Sequence, residues 1–257
     1  MQRLHAPLHK WRILPLIIAD QQQHIEQSER LLATVSPDDP ATLYWSMAER
    51  LGLVLGYSQK HDVLNPAVLA AQPIPIYQRR AGGTAVLVGP HLLSLDVVLP
   101  AGHPLILPDI VESYRWFGEV WAEALAQLGI PTRIVLPQEA HEQRTRLKQL
   151  ETRERESILQ RACYGSLSPY EIVAGQRKVI GLDMIRRRVG SLLQAGVLLH
   201  WETEALTQLL GHTPAEQALL QEGLLERAVG LDTLLGRVVT AEEVITAFER
   251  VIFSGRA

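Results

Sequence analysis

The sequence predicts an α+β protein with a mixed or antiparallel central sheet flanked by helices. Short apolar runs with the spacing of strands occupy the middle of the chain, whereas helical periodicity and capping residues concentrate around residues 109–128 and in the last fifth. Strands and helices therefore do not alternate regularly, as they do in a doubly wound parallel sheet.

Composition limits the possible functions. The chain has 257 residues, 47% of them apolar, which suffices for one large domain or one domain with a small appendage. A net charge of −3 shows no excess of basic residues of the kind that binds nucleic acid. The apolar run at residues 14–19 is too short for a membrane span. We therefore expect a soluble, cytoplasmic protein with neither nucleic-acid nor membrane partners.

Cysteine and histidine usage argues against metal and disulfide frameworks. The single cysteine, Cys163, excludes an internal disulfide and any zinc cluster built on several cysteines, and it fits a reducing compartment. Nine histidines are scattered without metal-ligand spacing. We expect no metal site.

The first part of the chain predicts a strand and a helix, followed by further short strands. Residues 11–18 predict the strand, and the apolar stripe in residues 21–35 predicts the helix. The remaining predictions here are strands at residues 43–47 and 51–56, a short helix at 66–71, and a half-buried strand at 93–100, where apolar and polar positions alternate.

The clearest helix is predicted over residues 109–128. Asp109 can cap it, Glu112 occupies the capping-box position, and Gly129 ends it. Ile110 belongs to its predicted apolar face, together with Phe117, Val120, Trp121, Ala124 and Leu128.

A strand at residues 133–136 precedes a polar insert at 138–156. The insert balances five acidic and five basic residues, which is typical of a solvated helix or a mobile loop. Because it ends just before Cys163, it is also a candidate flap over a site.

A β-hairpin is predicted from strands at 170–173 and 177–180, joined by residues 174–176. Three consecutive arginines follow at 186–188, which suits either an acidic partner or a solvated edge. After a strand at 191–201 the pattern becomes helical, with helix starts at Thr213 and Thr240 and a short helix at 231–235.

Lys178 comes fifteen residues after Cys163, across the predicted hairpin, and is a candidate partner of the thiol. A nearby ammonium favours the reactive thiolate and can hold a substrate carbonyl oxygen. The alternative is that Cys163 is a small buried hydrophobe and Lys178 a solvated strand residue.

A second candidate is the glycine loop at residues 79–84. Adjacent Gly82 and Gly83 let the backbone approach a ligand closely, and Arg79 and Arg80 can meet a phosphate or carboxylate. An ordinary turn between two strands is the alternative.

Together these segments resemble the biotin/lipoate A/B protein ligase family, and within it the cysteine-dependent octanoyltransferases. The likeness extends over nearly the whole chain. Its four segments are LYWSMAERLGLVLGYSQ (43–59), YQRRAGGTAVL (77–87), ACYGSLSPYEIVAGQRKVIG (162–181) and VGLDTLLGRVVTAEEVITAFERVI (229–252). The glycine loop and the Cys-to-Lys spacing are its specific parts.

The resemblance implies a single catalytic domain over residues 1–257, with a core at about 10–205 and a small helical tail at about 206–257. Cys163 would carry the acyl group as a thioester. Lys178 would hold the acyl carbonyl or the thiolate, and Lys178→Ala would lower turnover with the fold intact. The substrate-binding residues it implies are Arg79, Arg80, Gly82, Gly83, Thr84 and Gly181.

The implied activity is an acyl transfer of lipoate assembly. An octanoyl or lipoyl group would pass from acyl carrier protein through Cys163 to a lysine of a lipoyl domain or a glycine-cleavage carrier protein, without a cofactor. One alternative is a lipoate or biotin ligase, which needs ATP and Mg²⁺. The other is a degenerate homologue that binds an acyl group or a lipoyl domain without turnover.

Overall fold

The computed structural model describes residues 11–71, 73–146, 149 and 152–254. Ten strands occur among these residues: β1 (Trp11–Ala19), β2 (Ala41–Ala48), β3 (Gly52–Leu55), β4 (Ile76–Gln78), β5 (Val86–Val88), β6 (Leu92–Pro100), β7 (Arg133–Ile134), β8 (Ile172–Ala174), β9 (Arg177–Arg186) and β10 (Gly190–Leu198). The helices are α1 (Gln21–Thr34), α2 (Pro66–Ala71), α3 (Arg115–Gln127), α4 (Pro137–Arg146), α5 (Arg153–Leu159), α6 (Glu204–Leu210), α7 (Pro214–Arg227), α8 (Leu231–Leu235) and α9 (Ala241–Phe253).

Seven strands form one mixed sheet in the order β1-β2-β6-β10-β9-β8-β7. Only β1 and β2 pair in parallel, and the other neighbours are antiparallel. A second sheet has the order β4-β3-β5. The predicted α+β class with a mixed sheet is confirmed, whereas the separate small sheet is additional to the prediction.

One face of the large sheet packs against α3 and α9 through an aromatic cluster. Trp45 of β2 contacts Trp121 of α3 and Phe248 of α9, and Phe117 of α3 contacts the same two rings; all four side chains are at most 1% exposed. The Trp121 and Phe248 ring centroids lie 4.4 Å apart. Both hydrogen bonds of the capping box predicted at Thr240 are present at the start of α9.

The opposite face of the sheet is also covered, because α1 and the small sheet lie on it. Leu32 of α1 packs on Val98 of β6 and Leu192 of β10. The prediction of a half-buried β6 is therefore wrong. Asp96 is 5% exposed on the face that was expected to be polar and solvated.

The helix predicted from Asp109 begins later, at Arg115. Asp109 Oδ1 accepts from the Glu112 N–H at 3.0 Å, but the Glu112 carboxylate accepts from the Tyr170 hydroxyl and does not return to the cap. Residues 112–114 therefore form a separate 3₁₀ turn, and Ile110 is 53% exposed. The end at Gly129, whose φ is +82°, agrees with the prediction.

The insert at 138–156 is helical at both ends, although residues 147, 148, 150 and 151 lie outside the described residues. Its last member, Glu156, is 3% exposed and accepts two hydrogen bonds from Arg227 of α7, at 2.8 and 2.5 Å. The insert is therefore not simply solvated, since it ends in a buried ion pair that ties α5 to α7.

None of the helices in the described residues is long and apolar enough to span a membrane.

Truncating the aromatic cluster tests the packing of α9. We expect Phe248→Ala to lower the free energy of unfolding by about 3–5 kcal/mol, because it leaves a cavity between α3 and the sheet. Urea denaturation measures this. Val238→Ala, at a side chain that is 81% exposed, is the control and should change stability by less than about 0.5 kcal/mol. Equal effects of the two changes would contradict the packing.

Candidate active site

A cavity of about 380 Å³ lies between the large sheet, α1, the glycine loop and the segment that follows α5. Its volume is within the range of small-molecule sites. Val54, Val86, Val88 and Leu92 supply much of its apolar wall, and both the predicted thiol and the predicted lysine line it.

The cavity exists because one row of side chains across the sheet is small. Ser46, Ser94, Gly196 and Gly181 are successive partners on β2, β6, β10 and β9. All four line the cavity. A Cβ atom on Gly196 would lie 3.0 Å from the Tyr164 hydroxyl oxygen, so the missing side chain at Gly196 leaves room for the Tyr164 ring.

The next row on the same face is polar. Tyr44, Asp96, Gln194 and Asp183 are partners on the same four strands, roughly 7 Å along the sheet from the small row. Asp96 accepts from the Gln194 side-chain amide at 2.9 Å and from the Ser28 hydroxyl of α1. Burial raises the pKa of Asp96 to about 6, although both hydrogen bonds oppose the shift.

Cys163 begins a 3₁₀ turn, Cys163–Gly165, that other elements hold in place. Its N–H donates to the Ala85 carbonyl at 2.8 Å, just before β5. The Gly165 carbonyl accepts from Arg227 at 2.7 Å. The thiol residue is half-buried and faces the cavity.

Lys178 is 1% exposed and makes three hydrogen bonds. Nζ donates to the Cys163 carbonyl oxygen at 2.8 Å and to both carboxylate oxygens of Glu171 at 3.0 Å. Glu171 is 2% exposed and also accepts from the N–H groups of Ser168 and Leu182. Burial raises the pKa of Glu171, and the Lys178 ammonium opposes this rise.

Tyr164 covers the other side of the ammonium. Lys178 Nζ lies 5.1 Å from the centroid of the Tyr164 ring, and the Tyr164 hydroxyl donates to the Gly196 carbonyl at 2.7 Å. Burial raises the pKa of this phenol well above its usual value. The Lys178–Glu171 pair is thus enclosed by protein, and the alternative of a solvated Lys178 is wrong.

Arg79 shapes the glycine loop from inside. Its guanidinium donates to the carbonyls of Gly82 and Thr84 at 2.9–3.1 Å and lies 3.5 Å from the Asp183 carboxylate. Gly83 has a φ of +80°, which glycine adopts without strain. Burial raises the pKa of Asp183, and Arg79 opposes this rise.

Six of the eight predicted site residues line the same cavity: Arg79, Gly83, Thr84, Cys163, Lys178 and Gly181. Arg80 and Gly82 do not. Arg80 points away to an ion pair with Glu29 at 2.8 Å, and its side chain is 65% exposed. Gly82 contributes its carbonyl to Arg79 and is itself exposed.

Sequence reasoning missed Glu171, Asp96 and Gln194. An acidic residue in the same hairpin as Lys178 is a signal for Glu171, but the predicted three-residue turn places the two side chains on opposite faces of the hairpin. Asp96 and Gln194 carry no local signal, since each looks like an ordinary solvated position of an alternating strand.

The flap predicted from the insert is not found at the cavity. None of residues 138–145, 149 and 152–156 lines the cavity, and α5 instead leads into the Cys163 turn. Within the described ranges, no group of three or more histidine, cysteine or acidic side chains is arranged to hold a metal ion.

Comparison with known proteins identifies the family. Residues 20–253 match the family model described as the lipoyl protein ligase A/B catalytic domain. The chain therefore belongs to this family, as its sequence motifs predicted.

Several curated relatives carry the name octanoyltransferase LipM. The protein of Kyrpidia tusciae is 30% identical over 209 residues, which cover 80% of this chain and 68% of that protein. The protein of Exiguobacterium sibiricum is 29% identical over 245 residues, covering 94% and 85%. The family and these names confirm the prediction of an octanoyl- or lipoyl-transferring enzyme.

Solved structures support the fold. A bipartite lipoate protein ligase from Thermoplasma acidophilum superposes with a TM-score of 0.74 at 17% identity, covering 96% of this chain and 84% of that one. A lipoate-protein ligase A bound with ATP gives a TM-score of 0.69 at 19% identity, covering 96% and 85%.

The buried Asp96 predicts a pH dependence of stability. Its folded pKa of about 6 exceeds the ordinary aspartate value of 3.8, so the folded state holds the proton more tightly than the unfolded state. Stability should therefore fall as pH rises from about 4 to above 6, by at most about 3 kcal/mol. Urea denaturation at several pH values measures the fall, and Asp96→Asn should reduce it, leaving the smaller part contributed by the other carboxyl groups with raised pKa, Glu171 and Asp183. Superimposable wild-type and Asp96→Asn profiles would contradict the prediction.

The buried ion pair predicts non-additive effects on stability. Glu171→Gln leaves the Lys178 ammonium buried without its counter-charge, and we expect a loss of about 3–5 kcal/mol. Lys178→Ala strands the Glu171 carboxylate in the same way, which argues against the expectation that this change leaves the fold intact. The double variant Lys178→Met with Glu171→Gln should recover most of the loss.

Urea denaturation of Glu171→Gln, Lys178→Met and the double variant gives the coupling. The control is Glu119→Gln in the Arg115–Glu119 pair, whose side chains are both 52% exposed, and it should cost less than about 0.5 kcal/mol. Additive losses at Glu171 and Lys178 would show that the two groups do not act as a pair.

Proposed function

We propose that this protein takes an octanoyl group from the thioester of acyl carrier protein onto Cys163. It then passes the group to a lysine of a lipoyl domain or a glycine-cleavage carrier protein. The observation that carries the proposal is the position of Cys163, whose half-buried thiol residue lines an apolar cavity beside a buried ammonium.

The two steps are balanced exchanges. In the first, the Cys163 sulfur forms a bond to the acyl carbonyl carbon, the bond to the carrier sulfur breaks, and the thiol proton leaves on the carrier thiol. In the second, the acceptor amine forms an amide, the Cys163 thioester breaks, and Cys163 regains a proton. Neither step needs ATP or a metal, so we propose that no cofactor takes part. An ATP-dependent ligase reaction is the competing outcome of the test below.

Lys178 acts as a positioning residue in this proposal. All three of its N–H donors are engaged, one of them by the Cys163 carbonyl. The lysine therefore fixes the main chain of the nucleophile. For Lys178 to hold an acyl carbonyl directly, one of these bonds would have to exchange.

The remaining wall of the cavity receives the acyl chain. Val54, Val86, Val88 and Leu92 offer apolar contacts, and the small row keeps the sheet face open. Burial of a methylene contributes about 0.8 kcal/mol, so a medium-length chain gains enough to bind without a charged anchor.

Intact-protein mass spectrometry tests the proposal. We expect one octanoyl group to be added on incubation with octanoyl-acyl carrier protein in the absence of ATP. Hydroxylamine should remove the adduct, because it cleaves a thioester, and Cys163→Ala should form none. The acylated enzyme should then label a lipoyl domain.

The other outcomes separate the alternatives. Labelling of a lipoyl domain only with ATP and free lipoate would assign the protein to the ligases. Normal transfer by Cys163→Ala would refute the thioester mechanism. No adduct and no transfer under either condition would indicate a family member that binds an acyl group or a lipoyl domain without turnover.

A further inference from the structure

We propose that a groove between α1 and the β9–β10 turn docks an acidic, amphipathic helix of the acyl-bearing carrier protein. This inference rests on the proposed function, because it names the surface that the donor uses. We call the groove the arginine groove. It is defined by an apolar floor of Leu32, Ile185, Val189 and Leu192 and a rim of Arg80, Arg187 and Arg188.

The rim concentrates positive charge on a chain whose net charge is −3. Arg187 and Arg188 are exposed in the turn between β9 and β10. In the part of the chain that the structure describes, neither has a carboxylate within 4 Å. Arg80 forms an ion pair with Glu29, which is the one acidic residue among the described lining residues of the groove. An acidic partner would therefore find two uncompensated guanidinium groups.

The third arginine of the consecutive run has a different role. Arg186 donates to the Pro108 carbonyl at 3.1 Å and to the Ser113 hydroxyl at 2.7 Å, so it fastens β9 to the segment before α3. The alternation of a strand sends Arg186 to one side, and the turn presents Arg187 and Arg188 to solvent. The predicted choice between an acidic partner and a solvated edge thus concerns only the last two arginines.

The floor of the groove is apolar. Leu32 and Leu192 are at most 5% exposed and form its base, while Val189 is 42% exposed at its edge. The groove has a volume of about 340 Å³. An amphipathic helix binds such a groove with its apolar face down and its charged flanks against the rim.

A second depression lies between the arginine groove and the acyl cavity. This depression shares Glu29 and Arg80 with the groove, and it shares Ile25 and Arg79 with the acyl cavity. A carrier docked in the groove could therefore extend its flexible thiol arm along α1 into the cavity. Arg80 lies at the groove end of this depression, where the phosphate of a phosphopantetheine arm would meet it.

Charge reversal at the rim tests the surface. The measurement is the initial rate of Cys163 acylation, followed by intact mass, with octanoyl-acyl carrier protein and separately with the small donor octanoyl-pantetheine. We expect Arg187→Glu with Arg188→Glu to slow the carrier reaction by about tenfold or more at low salt, because rim charges govern association. The small donor should react at nearly the wild-type rate, since it does not use the groove.

A matched control keeps the overall charge the same. Arg144→Glu with Arg250→Glu makes the same change in net charge at two exposed positions on α4 and α9, outside the groove. This variant should react with both donors like the wild type. Raising the salt concentration should reduce the difference between wild type and the groove variant.

The outcomes distinguish this inference from the function on which it rests. If neither donor acylates the wild type, the proposed function fails. If the wild type is acylated and the groove variant reacts with the carrier at the wild-type rate, the docking surface is refuted and the function stands. Equal slowing in the control variant would show only a net-charge effect. Slowing confined to transfer onto a lipoyl domain would assign the groove to the acceptor and overturn the inference.

Discussion

The buried pair of Lys178 and Glu171 is the interaction on which the site depends. A charge that is 1% exposed is tolerable only with a nearby counter-charge and full hydrogen bonding, and the pair has both. Since one ammonium bond goes to the Cys163 carbonyl, satisfying the lysine also places the thiol residue. The Lys178 carbonyl accepts from the Val229 N–H, so the helical tail reaches the same point. The contacts that compensate the buried charge of Lys178 are therefore the same contacts that place Cys163.

The surroundings of this pair depend on the size and polarity of successive rows of side chains across one face of the large sheet. The small row, Ser46, Ser94, Gly196 and Gly181, makes space for an acyl chain. The following polar row carries Asp96, a buried carboxyl group whose hydrogen bonds go to Ser28 and Gln194. A chain that extends past the small row thus meets polar groups, and the cavity changes from apolar to polar along the strand direction.

The fold class, nearly all strands and the shared cavity of Cys163, Lys178 and the glycine loop were predictable, because periodicity and family motifs are local in sequence. The Lys178–Glu171 pair was not, for a geometric reason. The predicted three-residue turn, 174–176, puts Lys178 opposite Ile172, on the other face from Glu171. The observed turn is one residue shorter, so Lys178 pairs with Val173 and shares a face with Glu171. Asp96 was missed because α1 buries the second face of the sheet, and the residue pattern of a strand does not show that a helix covers it.

The arginines show how the chain separates chemistry from recognition. Arg79 donates to two carbonyls of the glycine loop and pairs with Asp183. Arg186 donates to a carbonyl and a hydroxyl. These two residues therefore stabilise the walls of the site and its surroundings. Arg187 and Arg188 make no such bonds with the described side chains and project from a turn of the same strand pair. Because Arg187 and Arg188 lie in an exposed turn outside the cavity, changes at these two positions leave the electrostatics of the cavity nearly untouched. Association with a charged partner and the reactivity of Cys163 are therefore separable properties of this fold.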